Sequence, residues 1–152
     1  MLHWQWSAFS ELTVFDLYEV LRLRQNVFIV EQNCPYPDAD GKDIHGYHLL
    51  GWEPQAGESK KLLAYLRVLP PGISYTELSM GRIITAPEVR RTGLGIVLME
   101  EGFRRIASTF GSQPIRISAQ AHLKGFYQQF GFRQVSDPYD EDGILHIEML
   151  RD

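Results

Sequence analysis

Between Gly95 and Phe110, apolar residues recur at helical spacing: Leu98, Gly102, Ile106 and Phe110 form one stripe, with Met99, Phe103 and Ala107 beside it. A helix with so wide an apolar face needs a layer to pack against, which constrains the fold more than any other feature. The opposite face is charged, and Glu100 with Arg104 and Glu101 with Arg105 read as i,i+4 pairs. Gly111 is placed as the C-terminal stop. Immediately ahead stands Arg90-Arg91-Thr92-Gly93-Leu94-Gly95, so the helix opens from a glycine-bearing, basic loop.

Short strand-forming segments precede this helix. Leu2–Trp6 reads as a strand, and Thr13 with Asp16 three residues later resembles a capping box opening a helix through about Val30. The segment from Pro35 to Gly46 is a polar loop dense in turn residues, suited to form one wall of a site. Tyr47–Trp52, Leu62–Leu69 and Tyr75–Thr85 read as a meander of three strands, with a hairpin loop at Glu53–Lys61. After the long helix come a strand at Ile115–Ser118, a short helix at Leu123–Phe130, and final strands at Arg133–Ser136 and Ile144–Leu150. There is no internal repeat or linker, so residues 1–152 read as one domain.

Composition excludes several classes of function. With 44% hydrophobic and 22% charged residues, the 152-residue chain suits a globular core. A formal net charge of -4 argues against nucleic acid as partner, because phosphate contacts need clustered Lys and Arg. No apolar stretch approaches the ~20 residues of a membrane span. The N-terminus lacks the pattern of a signal peptide, and the single cysteine, Cys34, suits a reducing compartment, so a cytoplasmic location is expected.

The loop Arg90 to Gly95 carries the clearest chemical signal. Backbone N–H groups converging at a helix N-terminus favour an anion, glycines at 93 and 95 let phosphate approach, and Arg90 and Arg91 add positive charge. A Walker loop is excluded because no Gly-Lys-Ser/Thr follows, and a Rossmann fingerprint because its third glycine would fall at Leu98. Asp38-Ala39-Asp40-Gly41-Lys42-Asp43 is not an EF-hand loop, with Asp43 and Leu49 at the sixth and twelfth positions. Asp43, His45 and His48 lack a fourth ligand at metal spacing, so no metal is expected. These carboxylates fit a cationic acceptor better, and the acidic run Asp137 to Asp142 reads as a solvated loop in preference to a border of the acceptor mouth. Further on, Phe126-Tyr127-Gln128-Gln129-Phe130-Gly131-Phe132 closes a short helix and places a phenol near its end.

In order and spacing, Arg90-x-x-Gly93-x-Gly95 and Phe126-Tyr127-x-x-x-Gly131-Phe132 resemble the two signatures of the GNAT acetyltransferase superfamily. The resemblance spans essentially the whole chain. The run Leu23 to Gln32, followed by Cys34, Tyr36, Asp40, Asp43 and His48, looks like its ElaA-like subgroup. The resemblance implies an α+β fold: a bent, mostly antiparallel sheet with helices on both faces, whose strands at Leu78–Thr85 and Ile115–Ser118 splay apart to form a CoA cleft. It implies acetyl-CoA as cosubstrate, with pantetheine contacts from the backbone of Ile83, Ile84 and Thr85. Pyrophosphate contacts fall on Arg90, Arg91, Thr92, Gly93, Leu94 and Gly95. Tyr127 becomes the general acid, and Gln120 stands where many members carry a pantetheine-binding asparagine.

Acetyl transfer to a primary amine of a small molecule or peptide is the function so implied, and a homodimer is the assembly expected by analogy. Glu77, Glu31 and His48 are the candidates for the base that deprotonates the amine. Two other readings stand beside this one. One is a CoA-binding sensor without turnover. The other is an enzyme like the acyl-homoserine-lactone synthases, which Arg24-x-x-Val27-Phe28 resembles.

Overall fold

A computed structural model describes residues 1–54 and 60–152. In chain order the strands are β1 (His3–Ala8), β2 (Tyr47–Trp52), β3 (Leu62–Leu69), β4 (Leu78–Thr85), β5 (Ile115–Gln120), β6 (Arg133–Gln134), β7 (Tyr139–Glu141) and β8 (Ile144–Arg151). The helices are α1 (Val14–Arg24), which runs on as a π-helical segment Gln25–Glu31, then α2 (Leu94–Phe110) and α3 (Lys124–Gln128). One eight-stranded sheet runs β1-β2-β3-β4-β5-β8-β6, with β7 paired to β8. Every pairing is antiparallel except that of β4 with β5.

All of β3 is buried, because helices cover the sheet on both sides. Strand alternation sorts its residues. Ala64, Leu66 and Val68 join Leu98, Met99 and Ile106 of α2, whereas Leu63 and Tyr65 join Val20, Leu23 and Val27 on the opposite face. Gly102 belongs to the apolar stripe for a reason of distance, since a Cβ there would lie 3.0 Å from Leu66 Cδ2 and 3.2 Å from Met80 Cε. Helix α2 therefore seats closely on β3 and β4.

The capping box at Thr13 is formed: its hydroxyl accepts from the Asp16 amide, and the Asp16 carboxylate accepts from the Thr13 amide. Other expectations change. Glu101, not Glu100, holds both Arg104 and Arg105, and it is buried, so the supposed outer face carries a partly sheltered ion triad. The third meander strand begins at Leu78, not Tyr75. The acidic run 137–142 contains β7, because pairing with β8 captures Tyr139–Glu141. Much of the hairpin loop read at Glu53–Lys61 lies on residues 55–59, outside the described residues.

The largest correction concerns the loop 35–46. Its carboxylates are not free for a cationic acceptor, because three arginines occupy them. Arg24, fully buried, donates from Nε to Asp38 Oδ2 at 2.9 Å and from Nη1 to Asp43 Oδ1 at 2.8 Å. Arg67 Nη1 reaches Asp40 Oδ1 and Asp43 Oδ1, both at 2.9 Å, and Nη2 reaches Asp40 Oδ2 at 3.0 Å. Arg82 closes the set, with Nε 2.8 Å from Asp38 Oδ1 and its ring-facing guanidinium 5.5 Å from the Tyr36 centroid. Burial, the largest single influence, would raise the Asp40 pKa, but the Arg67 hydrogen bonds, the Lys42 amide and the Arg67 and Arg82 charges together outweigh it and bring it down to about 2.

Removing one partner of such a cluster leaves a buried charge uncompensated, so Arg24→Met should cost about 3–5 kcal/mol in urea unfolding. The same cluster sets an acid limit. A carboxylate with a depressed folded pKa stabilises the fold above its unfolded value and loses that contribution as it is protonated. For Asp40 the loss should run from about pH 4 down to about pH 2, and an Asp40→Asn variant should flatten unfolding free energy across that window.

Candidate active site

Strands β4 and β5 pair only at Leu78 with Ile115 and Ser79 with Arg116. Beyond Ser79 they part. The cause is visible in β4, where the register against β3 shifts between Tyr65 and Arg67, and Arg82 takes a left-handed φ of 52°. This bulge bends β4 away from β5, and among the described residues its edge from Met80 to Thr85 has no strand partner on that side. The resulting cavity, about 1070 Å³, is lined by Ile83, Ile84 and Thr85 on one wall and by Ile117 to Gln120 on the other. Ligand pockets of this size bury most of a sizeable small molecule.

At one end of the cavity the chain leaves β4 through a short 3-10 turn, Pro87–Val89, and enters the loop Arg90 to Gly95. Gly93 has φ 85° and is followed directly by α2, so a side chain here would be strained whatever space it met. The amides of Ile96 and Val97 are spent on the Gly93 carbonyl, and no bond among the described residues occupies those of Leu94 and Gly95. Arg90, Arg91, Gly93, Leu94 and Gly95 all line the cavity. Arg90 is not idle: its guanidinium grips Glu31 through two bonds of 2.6 Å, joining the end of the π-helical segment to the loop across the mouth.

Deeper in, Tyr127 lines the cavity from α3. Its ring sits edge-on to Phe126 and Phe132, at centroid distances of 5.2 and 6.0 Å, and burial pushes its phenol pKa up. At neutral pH the phenol therefore keeps its proton. Gln120 also lines the cavity and bonds Gln32 Oε1 at 3.4 Å.

The three candidate bases are dispersed. His48 is fully buried in the core, where Nε2–H donates to the Asp43 carbonyl at 3.0 Å and Nδ1 accepts from the Tyr65 hydroxyl at 2.7 Å. Burial also lowers its pKa. Glu77 lies in a neighbouring recess and is held by Arg116 at 3.0 and 3.1 Å, which lowers its pKa. Glu31 does line the cavity, but at the mouth, and Arg90 keeps its carboxylate ionised.

A residue absent from that set stands in the cavity wall. His146, on β8, lies directly across from Gln120 of β5, and its neighbour Glu141 comes from β7. The signal was present in the alternation of Ile144–Leu150, which sends Ile147 and Met149 to the core and His146 and Glu148 to the other face. Only the strand order says what that face meets.

Comparison with known proteins places these features in a wider set. The profile of an acetyltransferase (GNAT) domain matches residues 56–151. Protein ElaA of Escherichia coli is 42% identical over the full chain, covering 97% of that protein. Its crystal structure superposes with a TM-score of 0.90 at 40% identity, with both chains covered completely. The crystal structure of an acyl-CoA N-acyltransferase from Pseudomonas aeruginosa superposes with a TM-score of 0.92 at 38% identity, again over all of both chains. The fold is shared more distantly with an aminoglycoside 6'-N-acetyltransferase complexed with coenzyme A, at a TM-score of 0.66 and 14% identity over 97% of this chain and 96% of that one.

The Glu31–Arg90 pair makes the mouth testable. Glu31 competes with any phosphate for the Arg90 guanidinium, so Glu31→Gln should tighten acetyl-CoA binding about three- to tenfold in titration calorimetry at low salt. The gain should shrink as salt is raised, because both side chains are exposed.

Proposed function

We propose that this chain, which belongs to the GNAT acetyltransferase family, transfers an acetyl group from acetyl-CoA to a primary amine of a small molecule or peptide. The observation that carries this reading is the unpaired edge of β4 ending at the Arg90–Gly95 loop. A long, bent molecule with amide groups in its middle and a pyrophosphate at its bend fits that combination. The free edge at Ile83, Ile84 and Thr85 offers backbone groups to the pantetheine amides, as an added strand would be received. The loop offers the pyrophosphate its free amides and the positive end of α2. The aminoglycoside acetyltransferase that shares the fold was crystallised as a coenzyme A complex, which is consistent with coenzyme A as the ligand.

The remaining residues then divide the chemistry. Backbone N–H near Ile83 stabilises the oxyanion that forms when an amine attacks the thioester carbonyl. Tyr127, protonated and shielded from water, donates to sulfur as the C–S bond breaks. Its raised pKa makes it a reluctant acid, so its contribution is modest. His48, Glu77 and Glu31 take no proton from the amine in this reading: one is bonded in the core, and the other two are held by arginines.

Thiol release from acetyl-CoA, screened against a panel of primary amines, tests the activity. Turnover with at least one amine is expected, whereas acetyl-CoA binding without turnover would establish a sensor. With the best acceptor, Tyr127→Phe should lower kcat by about 10- to 100-fold and leave acetyl-CoA affinity within about twofold, since the hydroxyl acts in the transition state. A wild-type kcat in this variant would leave the ring as packing alone.

A further inference from the structure

An amine is a cation in water and must lose a proton before its nitrogen can attack a thioester. The transfer therefore needs an acceptor for that proton on the side of the cavity from which the amine arrives. Strands β5, β8 and β7 present one continuous polar face to the cavity. Residues Ser118 and Gln120 alternate with core residues Ile117 and Ala119 on β5, and the register pairs Gln120 with His146 and His146 with Tyr139. His146 is 9% exposed, and Gln120, Tyr127, Glu141 and His146 line the same cavity.

Its imidazole is fixed in orientation. Nδ1 lies 2.7 Å from the Ile144 carbonyl, which only accepts, so in the neutral ring Nδ1 carries the proton and Nε2 the lone pair. The ring stacks on Tyr139 at 6.1 Å, and the Tyr139 hydroxyl is itself hydrogen-bonded to Ser118 Oγ. Nε2 stands 3.3 Å from Glu141 Oε2. In the neutral ring a lone pair thus faces a carboxylate, and at this separation only a proton fits between them, so the pair is favourable once Nε2 is protonated and the imidazolium donates to Glu141.

We propose that His146 Nε2 accepts the proton of the incoming ammonium, directly or through one water, and that Glu141 positions the ring and stabilises the imidazolium that results. The proposal rests on the acetyl-transfer reading above. The ammonium gives one proton to Nε2, and its freed electron pair forms the C–N bond. The C–S pair leaves on sulfur, which takes the Tyr127 proton. The second proton lost from the new amide nitrogen restores the phenol through solvent, and the imidazolium releases the first. In sum, ammonium and thioester give amide, thiol and one proton.

The other ionisable groups around His146 have separate engagements or stand further along the wall. Glu148, two residues along the same face, is held by Arg116 at 2.8 Å. On β7 and its turn, Asp140 caps the Gly143 amide at 3.3 Å, and Asp142 lines the cavity beside Glu141. His122, before α3, and Tyr127, on α3, line the cavity, while Arg133 on β6 pairs with Asp152.

The test uses the amine that releases thiol fastest in the screen. His146→Gln should lower kcat/KM about 100-fold at neutral pH, with the deficit shrinking as pH rises and free amine appears in solution. Acetyl-CoA affinity and melting temperature should stay near wild type. Glu141→Gln should give about a tenfold loss, confined to the same limb of the pH profile, as expected of a positioning residue. A loss of equal size at every pH, or no loss, overturns the proposal. Independently of any variant, nitrogen NMR of the wild-type imidazole should find the proton on Nδ1 in the neutral form; a neutral Nε2–H overturns it too. If no amine releases thiol, both this inference and the acetyl-transfer reading fall, whereas turnover that survives His146→Gln removes only this one.

Discussion

Strand β4 meets β5 at two positions and then leaves it, and a sheet that opens in its middle must fill the gap or line it. Everything that reads as functional follows from that parting. The bulge at Arg82 bends β4 outward and exposes one of its edges. The chain leaving that edge turns through Gly93 into α2, which brings free amides to the end of the opening. The helix after β5 brings Tyr127 to the depth of the same opening, and the strand beside β5 brings His146. No one of these residues is unusual in isolation. Their meeting is a consequence of two parallel strands that stop pairing.

The bulge is held by charge. Arg82 sits in the left-handed region, a costly place for a long side chain, and its guanidinium is tied to Asp38 and Asp40 of the preceding loop. That loop is in turn fastened by Arg24 from α1 and Arg67 from β3. Isolated charges this deep would be expensive, so the carboxylates and guanidiniums are each retained only because the others are present. The consequence for the site is electrostatic. A loop that looks strongly acidic in sequence presents no spare carboxylate to the cavity, which Glu141 and Asp142 also line.

Much of this was legible in the amino-acid order. Helix α2, its apolar stripe and its glycine entry follow from periodicity and from residues with distinctive backbone demands, and the strand segments from their β-branched and aromatic runs. The Thr13–Asp16 cap is formed as read. Amino-acid order says less where a residue's role depends on partners far away in the chain. Asp38, Asp40 and Asp43 looked available because their arginines lie 14 to 44 residues away. His48 looked like an accessible base because nothing local says that Tyr65 will sit on its ring nitrogen.

Local order thus determined which segments become helix or strand and where α2 begins, with a glycine of left-handed φ at its entry. These are properties of neighbours within a turn or two, and short-range sterics and hydrogen bonding set them. Tertiary structure alone decided which ionisable groups are spent and which are left facing the cavity. Ion pairing and burial are set by distance in space, and the order β4-β5-β8 joins strands from three separate parts of the chain. His146 acquires its place across from Gln120, and Glu141 its place at the imidazole, only when that sheet closes in register.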